Sequence, residues 1–275
     1  MKLALTIQTP EVPVQVPVAL LSGSLKEKLQ KAARMGAAGV ELITTEPASL
    51  KRRDLLTQLK ENYLQAAAIA SGGMALAAKL TLLNPDSKKA ALARKRLLEL
   101  IDLAADLDAP VVTVGSFRGR AVEDKKRSLG QLAEILRQAG DHAMQRGVVI
   151  ALEPLNRFEG DLINNVGQGL AFLMELDHAS VGLLVDTFHV NIEEASWTEP
   201  FRQAMASRKL FHVHLGDNNR LPPGRGLINF TEILWALREG GYSGWLSAEL
   251  LAVPNPDTAA QQTMSHMADL MKDIV

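Results

Sequence analysis

Val148–Glu153 reads VVIALE, an apolar run closed by a glutamate, and the same form returns downstream as VGLLVD at Val181–Asp186, LFHVHL at Leu210–Leu215 and GWLSAE at Gly244–Glu249. Short apolar runs without alternation are what a parallel strand covered on both faces requires. They are spaced by about 30 residues, the length of a strand plus its crossover helix. A polar residue that could bind a metal lies at or near the carboxyl end of each run: Glu153, Asp186, His214 and Glu249.

The same alternation extends towards the N-terminus. Leu3–Ile7, Gly39–Ile43, Gln65–Ala70 and Val111–Val114 precede Val148–Leu152, Val181–Val185, Leu210–Leu215 and Trp245–Ala248, giving eight β-like runs. Between them lie helical segments. Ser24 and Glu27 form a capping-box pair, and Ala90, Ala93, Leu97, Leu100, Ile101, Ala104 and Leu107 make one apolar face opposite Lys89, Arg96 and Glu99. Leu129, Leu132, Leu136, Ala139 and Ala143 repeat the pattern, and Gly36, Gly147, Gly240 and Gly241 stand where helices should end. This is an α/β chain, and eight βα units predict a (β/α)8 TIM barrel in one domain over residues 1–275, with an open doubly wound sheet as the alternative. Two longer loops, Thr9–Gly23 and Asn191–Pro200, fall on the face where such barrels carry their sites.

Composition narrows the function. The 275 residues contain 30 Lys and Arg against 31 Asp and Glu, so overall charge does not draw the chain to nucleic acid or to an anionic membrane. There is no cysteine, which removes disulfides and thiolate metal sites and fits a reducing compartment. Leu3–Ile7 is too short for a signal-peptide core, and Leu64–Leu83 is broken by Gly72 and Gly73 and carries Lys79. A cytoplasmic location is expected.

A parallel barrel gathers the carboxyl ends of its strands on one face. Glu153, Asp186, His214 and Glu249 would therefore converge, and three carboxylates with one imidazole suit a catalytic divalent ion rather than a thiolate-rich structural zinc. Taken singly, each has a blander role: Glu153 as an arginine-paired strand end, Asp186 as a helix cap. Glu249, before Leu250 and Leu251, would be a costly buried charge without a cation nearby. In an extended or gently turning segment His189, three residues after Asp186, falls on the same rim. His212 and His214 alternate along one strand and face the same way. The latter lies nearer the carboxyl end and is chosen as ligand, leaving His212 as an interior, hydrogen-bonded histidine.

Four segments carry a family resemblance: EPLNRFE at Glu153–Glu159, DTFHVNIEE from Asp186, HVHLGDNNRLPPG from His212, and SAEL from Ser247. They resemble the ketose 3-epimerases, the D-tagatose 3-epimerase and 5-keto-L-gluconate epimerase type within the xylose-isomerase-like barrels. The resemblance is dense from about Val149 to Leu251. It implies that Glu153, Asp186, His214 and Glu249 bind Mn²⁺, with Mg²⁺ or Co²⁺ as alternatives. It also implies that His189 and Arg220 hold substrate oxygens and that Glu159 supports His189. Gln8 stands where tagatose-type enzymes carry an aromatic residue, whereas SFRGR, with Arg118 and Arg120, looks more like the keto-acid branch. Both arginines could meet a substrate carboxylate or phosphate through their planar forks, or could equally be exposed arginines at a helix entrance.

The expected activity is 3-epimerisation of a ketose or keto-sugar acid through a metal-stabilised enediolate, Glu153 and Glu249 serving as acid and base on opposite faces. An aldose–ketose isomerase or a keto-sugar lyase or dehydratase could use the same site, and a non-catalytic sugar-binding barrel would keep the pocket alone. Barrel endonucleases need several zinc ions and a basic groove, for which six histidines and a net charge of −1 are poor equipment. Trp197, in the loop after the sixth strand, could cover a substrate or pack between subunits. The alanine-rich outer helices suggest a homo-oligomer, a dimer or tetramer.

Overall fold

The computed structural model describes residues 1–122, 124–272 and Ile274. Eight parallel strands close into a barrel in chain order: β1 (Lys2–Gln8), β2 (Gly39–Ile43), β3 (Gln65–Ala70), β4 (Val111–Val114), β5 (Val149–Leu152), β6 (Val181–Asp186), β7 (Leu210–Leu215) and β8 (Trp245–Ala248). The ring is sealed where β1 meets β8, Leu5 standing opposite Ala248. All eight predicted runs are strands, with ends shifted by no more than a residue or two, so the barrel reading holds and the open-sheet alternative does not.

Helices flank the strands on the outside: α1 (Leu25–Arg34), α2 (Arg52–Glu61), α3 (Gly72–Leu76), α4 (Ser87–Asp106), α5 (Lys125–Arg146), α6 (Val166–Leu176), α7 (Thr187–Glu193), α8 (Glu199–Ala206), α9 (Phe230–Glu239) and α10 (Pro256–Lys272). The capping box of α1 is formed in full, each partner satisfying a backbone N–H of the other's turn. The predicted face of α4 is the one it buries, with Leu97, Leu100, Ile101 and Ala104 closed off from solvent. Each such leucine removed from water is worth about 2 kcal/mol. Gly147 ends α5 in the left-handed region, as expected. After α9, Gly240 keeps a right-handed backbone and only Gly241 takes positive φ, so one glycine of that pair makes the turn. Among the described residues, no helix is long and apolar enough to cross a membrane.

Two local devices aim side chains into the barrel. Along β7, Leu210 is level with Leu183 but His212 is already level with Leu184, so Phe211 is an extra residue. A bulge of this kind resets which residues face inward, and here it precedes both strand histidines. A matching shift between β2 and β3 falls beside Glu41. The long loop after β1 is drawn down over the barrel mouth by Gln8, whose Oε1 accepts from the Val16 N–H at 2.8 Å. Val12, Val16 and Ala19 pack there on Ile43 and Ala70. Gln8, at the position where the resembling enzymes carry an aromatic side chain, is thus committed to holding this loop.

Candidate functional site

Glu153 lies one residue beyond β5, Asp186 ends β6, His214 is the penultimate residue of β7 and Glu249 follows β8. Their ligand atoms all lie within 4.8 Å of one another, and the first three residues are buried. Parallel closure accounts for the meeting: every carboxyl end opens on the same rim. His214 Nδ1 is 3.4 Å from Glu249 Oε2, 3.8 Å from Glu153 Oε1 and 3.9 Å from Asp186 Oδ2.

Beneath this cluster stands a residue that sequence reading missed. Glu41, on β2, is fully buried and reaches across the barrel interior to β7, with Oε2 2.8 Å from His212 Nε2 and Oε1 3.0 Å from His214 Nε2. Since β2 and β7 are not neighbours, this contact places all three side chains inside the barrel. His212 is accordingly an interior, hydrogen-bonded histidine, as expected. Burial by itself would raise the Glu41 carboxyl, but the two imidazoles outweigh it and hold the group well below the usual carboxylate range. With Nε2–H of His214 directed at Glu41, the lone pair on Nδ1 is turned towards the other three ligands, the arrangement that orients metal-binding histidines.

The donor set fits a divalent cation. Two of its buried atoms, Glu153 Oε1 and His214 Nδ1, have no hydrogen-bond partner, although both are aimed into the cluster. Burial and the neighbouring Glu249 charge push the Glu153 carboxyl up. In Asp186 burial is outweighed chiefly by the Arg220 guanidinium, and in Glu249 by the His214 imidazole together with Arg220, so both carboxyls are held down. Arg220 pairs through Nη1 with Asp186 and through Nη2 with Glu249. Its guanidinium also lies 4.8 Å from the ring centre of Phe188. Arg220 has φ +61°, and this turn is built on Asp217, whose carboxylate accepts from the backbone N–H groups of Asn218, Gly224, Gly226 and Ile228.

His189, on α7, sets Nε2 3.5 Å from Glu153 Oε1. Its other nitrogen faces Asn156. Asn156 Oδ1 accepts from the Phe158 and Glu159 N–H groups, which fixes the amide so that Nδ2 points at His189 Nδ1, 2.8 Å away. An amide N–H donor at Nδ1 makes that nitrogen an acceptor and leaves the imidazole proton on Nε2, facing the site. Glu159 makes no hydrogen bond to His189. Its Oε1 instead accepts from Asn156 Nδ2 at 2.9 Å, so the support expected of it runs through Asn156. Gly115 makes room for the cluster: a Cβ there would stand 2.2 Å from Glu153 Oε2.

The two front-half arginines depart from expectation in different ways. Arg118 is buried and donates to the backbone oxygens of Gly115, Glu153, Leu162 and Ile163, at 2.7 to 3.2 Å. It is a clamp on the loops after β4 and β5: four carbonyls occupy the N–H groups of both terminal nitrogens, and the Nε–H that remains is buried. Arg120 is exposed, donates to the carbonyls of Phe158 and Glu159, and lines a groove beside the site rather than the site itself. Trp197 packs on the hydrophobic core with Nε1 on Asn191 Oδ1 at 3.1 Å, so it does not cover the cluster.

The cavity over the cluster has a volume of about 240 Å³. Its polar floor is Glu153, His189, His214, Arg220 and Glu249, and Val16, Val18, Ile43, Leu155 and Leu251 form aliphatic walls. Such a space takes one small polyhydroxylated molecule, oriented by charged groups at one end.

Comparison with known proteins agrees with this architecture. The family model described as "Xylose isomerase-like TIM barrel" matches residues 29–270. A D-psicose 3-epimerase of Enterocloster bolteae is 27% identical over 220 residues, covering 77% of this chain and 72% of that protein. A D-psicose 3-epimerase of Ruminiclostridium cellulolyticum is 43% identical over 121 residues, covering 44% of this chain and 41% of that protein. Among solved structures, an L-ribulose 3-epimerase superposes with a TM-score of 0.83 at 26% identity, covering 98% of this chain and 95% of that one. With eight strands closed in chain order, ligands gathered at their carboxyl ends and a family match over most of its length, the chain belongs to the xylose isomerase-like TIM barrels.

Proposed function

We propose that the protein is a divalent-metal-dependent epimerase of ketoses or related keto-sugars, inverting the carbon next to the carbonyl. The observation that carries this reading is the pair Glu153 and Glu249, which approach one small cavity from β5 and β8, strands separated by β6 and β7. Inversion requires a proton to leave on one face and return on the other, and therefore needs a group on each side. Relatives named as D-psicose and L-ribulose 3-epimerases support the same chemistry.

Glu153, Asp186, His214 and Glu249 would hold the ion, which when bound supplies Lewis-acid polarisation of the substrate's vicinal oxygens. Mn²⁺ is the metal we assign. Of the two glutamates, one takes the proton from the carbon beside the carbonyl and the other delivers a proton to the opposite face; the roles exchange with reaction direction. His189 directs its Nε2–H, and Arg220 its guanidinium, at the oxygens on which negative charge builds up, the preorganised donor arrangement that lowers such barriers. The aliphatic walls keep bulk water from the planar intermediate.

Proton NMR in D₂O, with metal-stripped protein refilled with Mn²⁺, tests the proposal on a panel of ketoses. Deuterium at C3 with appearance of the 3-epimer is the expected result. Exchange at C1 or C2 would make the protein an isomerase, and loss of a substituent would make it a lyase or dehydratase.

A further inference from the structure

Beside the catalytic cavity, and sharing Ser116, Leu155 and Glu159 with it, lies a groove of about 640 Å³. We propose that this groove is a second sugar subsite, and that the preferred substrate is a keto-sugar bearing a further sugar ring through a glycosidic bond. The proposal rests on the epimerase reading and names the substrate class of that same site.

The groove is built rather than incidental. One wall, Thr81 to Pro85, is tied to the loop after β4 by the Leu82 N–H to the Phe117 carbonyl at 2.9 Å and the Leu83 N–H to the Arg118 carbonyl at 3.1 Å. The loop after β4 is tied in turn to the loop after β5 by Arg118, by Arg120, and by the Ala121 N–H on Asp161 at 3.1 Å. Gly119 holds φ +86° where a Cβ would lie 3.1 Å from Thr81 Cβ, so the walls meet closely at the bottom. A cleft fixed in advance costs little ordering when a ligand enters.

Its lining selects among substituents. Leu83, Pro85, Leu155 and Val122 give apolar surface for the C–H face of a ring, and the hydroxyls of Thr81 and Ser116 offer hydrogen bonds at its edges. Arg120 is the cation of the lining and Glu159 the anion, so the charges balance. A phosphate would gain one arginine and meet one carboxylate, whereas a neutral ring uses both as hydrogen-bonding groups. The catalytic cavity, at about 240 Å³, falls below the usual range for larger ligands, roughly 300–1,000 Å³, and reaches it only when joined to the groove.

The test compares kcat/KM of the Mn²⁺-loaded protein on D-fructose, on D-fructose 6-phosphate and on fructose carrying a glucosyl ring at O6, with deuterium exchange beside the carbonyl as readout. A preference of about 10-fold or more for the glucosyl-bearing compound is expected, the scale of a filled apolar subsite. Ala121→Trp, which narrows the groove, should reduce that preference towards unity. The wild-type ratio stands even if this variant does not fold. Equal turnover of D-fructose, or preference for the phosphate, overturns the subsite while leaving the epimerase reading intact; no exchange with any compound overturns both.

Discussion

Glu41 and His214, one on β2 and the other on β7, meet across the barrel interior with 3.0 Å between Oε1 and Nε2, and this contact determines which nitrogen His214 presents to the site. Replacing Glu41 with Gln keeps the size but removes the acceptor charge. Metal affinity, measured by calorimetry, should fall about 10- to 100-fold, the usual effect of losing such a partner. Unchanged affinity would mean that Glu41 is only a structural group of the barrel floor.

Metal loading should stabilise the fold by mass action. Stripping with chelator lowers the melting temperature, and Mn²⁺ at about 100 times its dissociation constant should restore about 2.7 kcal/mol. The quadruple cluster predicts that Asp186→Ala removes this response without unfolding the protein, as thermal melts with and without Mn²⁺ will show.

Glu153→Gln and Glu249→Gln should each reduce kcat by about 10² to 10⁴, the range for loss of a general acid or base. Persistence of proton exchange beside the carbonyl in Glu153→Gln would remove that residue from the acid–base pair. Gly115→Ala should act in the same direction, since its Cβ would displace the Glu153 carboxylate.

Asn156→Asp places an oxygen where Nδ2 now faces His189 Nδ1 at 2.8 Å, leaving only the longer 3.3 Å contact from the residue's own backbone N–H to that nitrogen. The imidazole proton should then move to Nδ1, taking the donor away from the site. Imidazole ¹⁵N shifts report the tautomer directly, and kcat should drop about 10-fold or more as one oxyanion donor is lost. A tautomer unchanged from wild type would refute the assignment.

Acid should weaken the link between the β1 loop and α10. Asp257 accepts from the Ser22 N–H and hydroxyl and pairs with Lys31 at 2.7 Å. Partial burial opposes the charge, but Lys31 and Ser22 outweigh it and lower the carboxyl below its ordinary value. A depressed carboxyl contributes stability above its unfolded pKa, near 3.9, and loses it as pH falls through the folded value. Asp257→Asn should therefore melt below wild type at pH 7 and converge with it once the pH has fallen below the depressed folded value.

Strand ends were legible because parallel strands covered on both faces leave continuous apolar runs, and the closing polar residues stand out against them. Glu41 was not, because GVELI reads as a strand with one charge in it, and its partners are on the far side of the barrel. Arg118 was misjudged for a related reason: an arginine just beyond a strand looks available for an anion, while the carbonyls that occupy it come from Glu153, Leu162 and Ile163, far along the chain. The role of Asn156 depends on which way an amide is turned, and that follows from backbone N–H groups rather than from residue type.

Arg220, spanning Asp186 and Glu249, also bears on how the protein is made. A pocket crowded with carboxylates would ordinarily resist being closed until an ion arrived. Here the polypeptide brings its own positive charge to the place of greatest repulsion, so closure of the barrel does not have to wait for a cation.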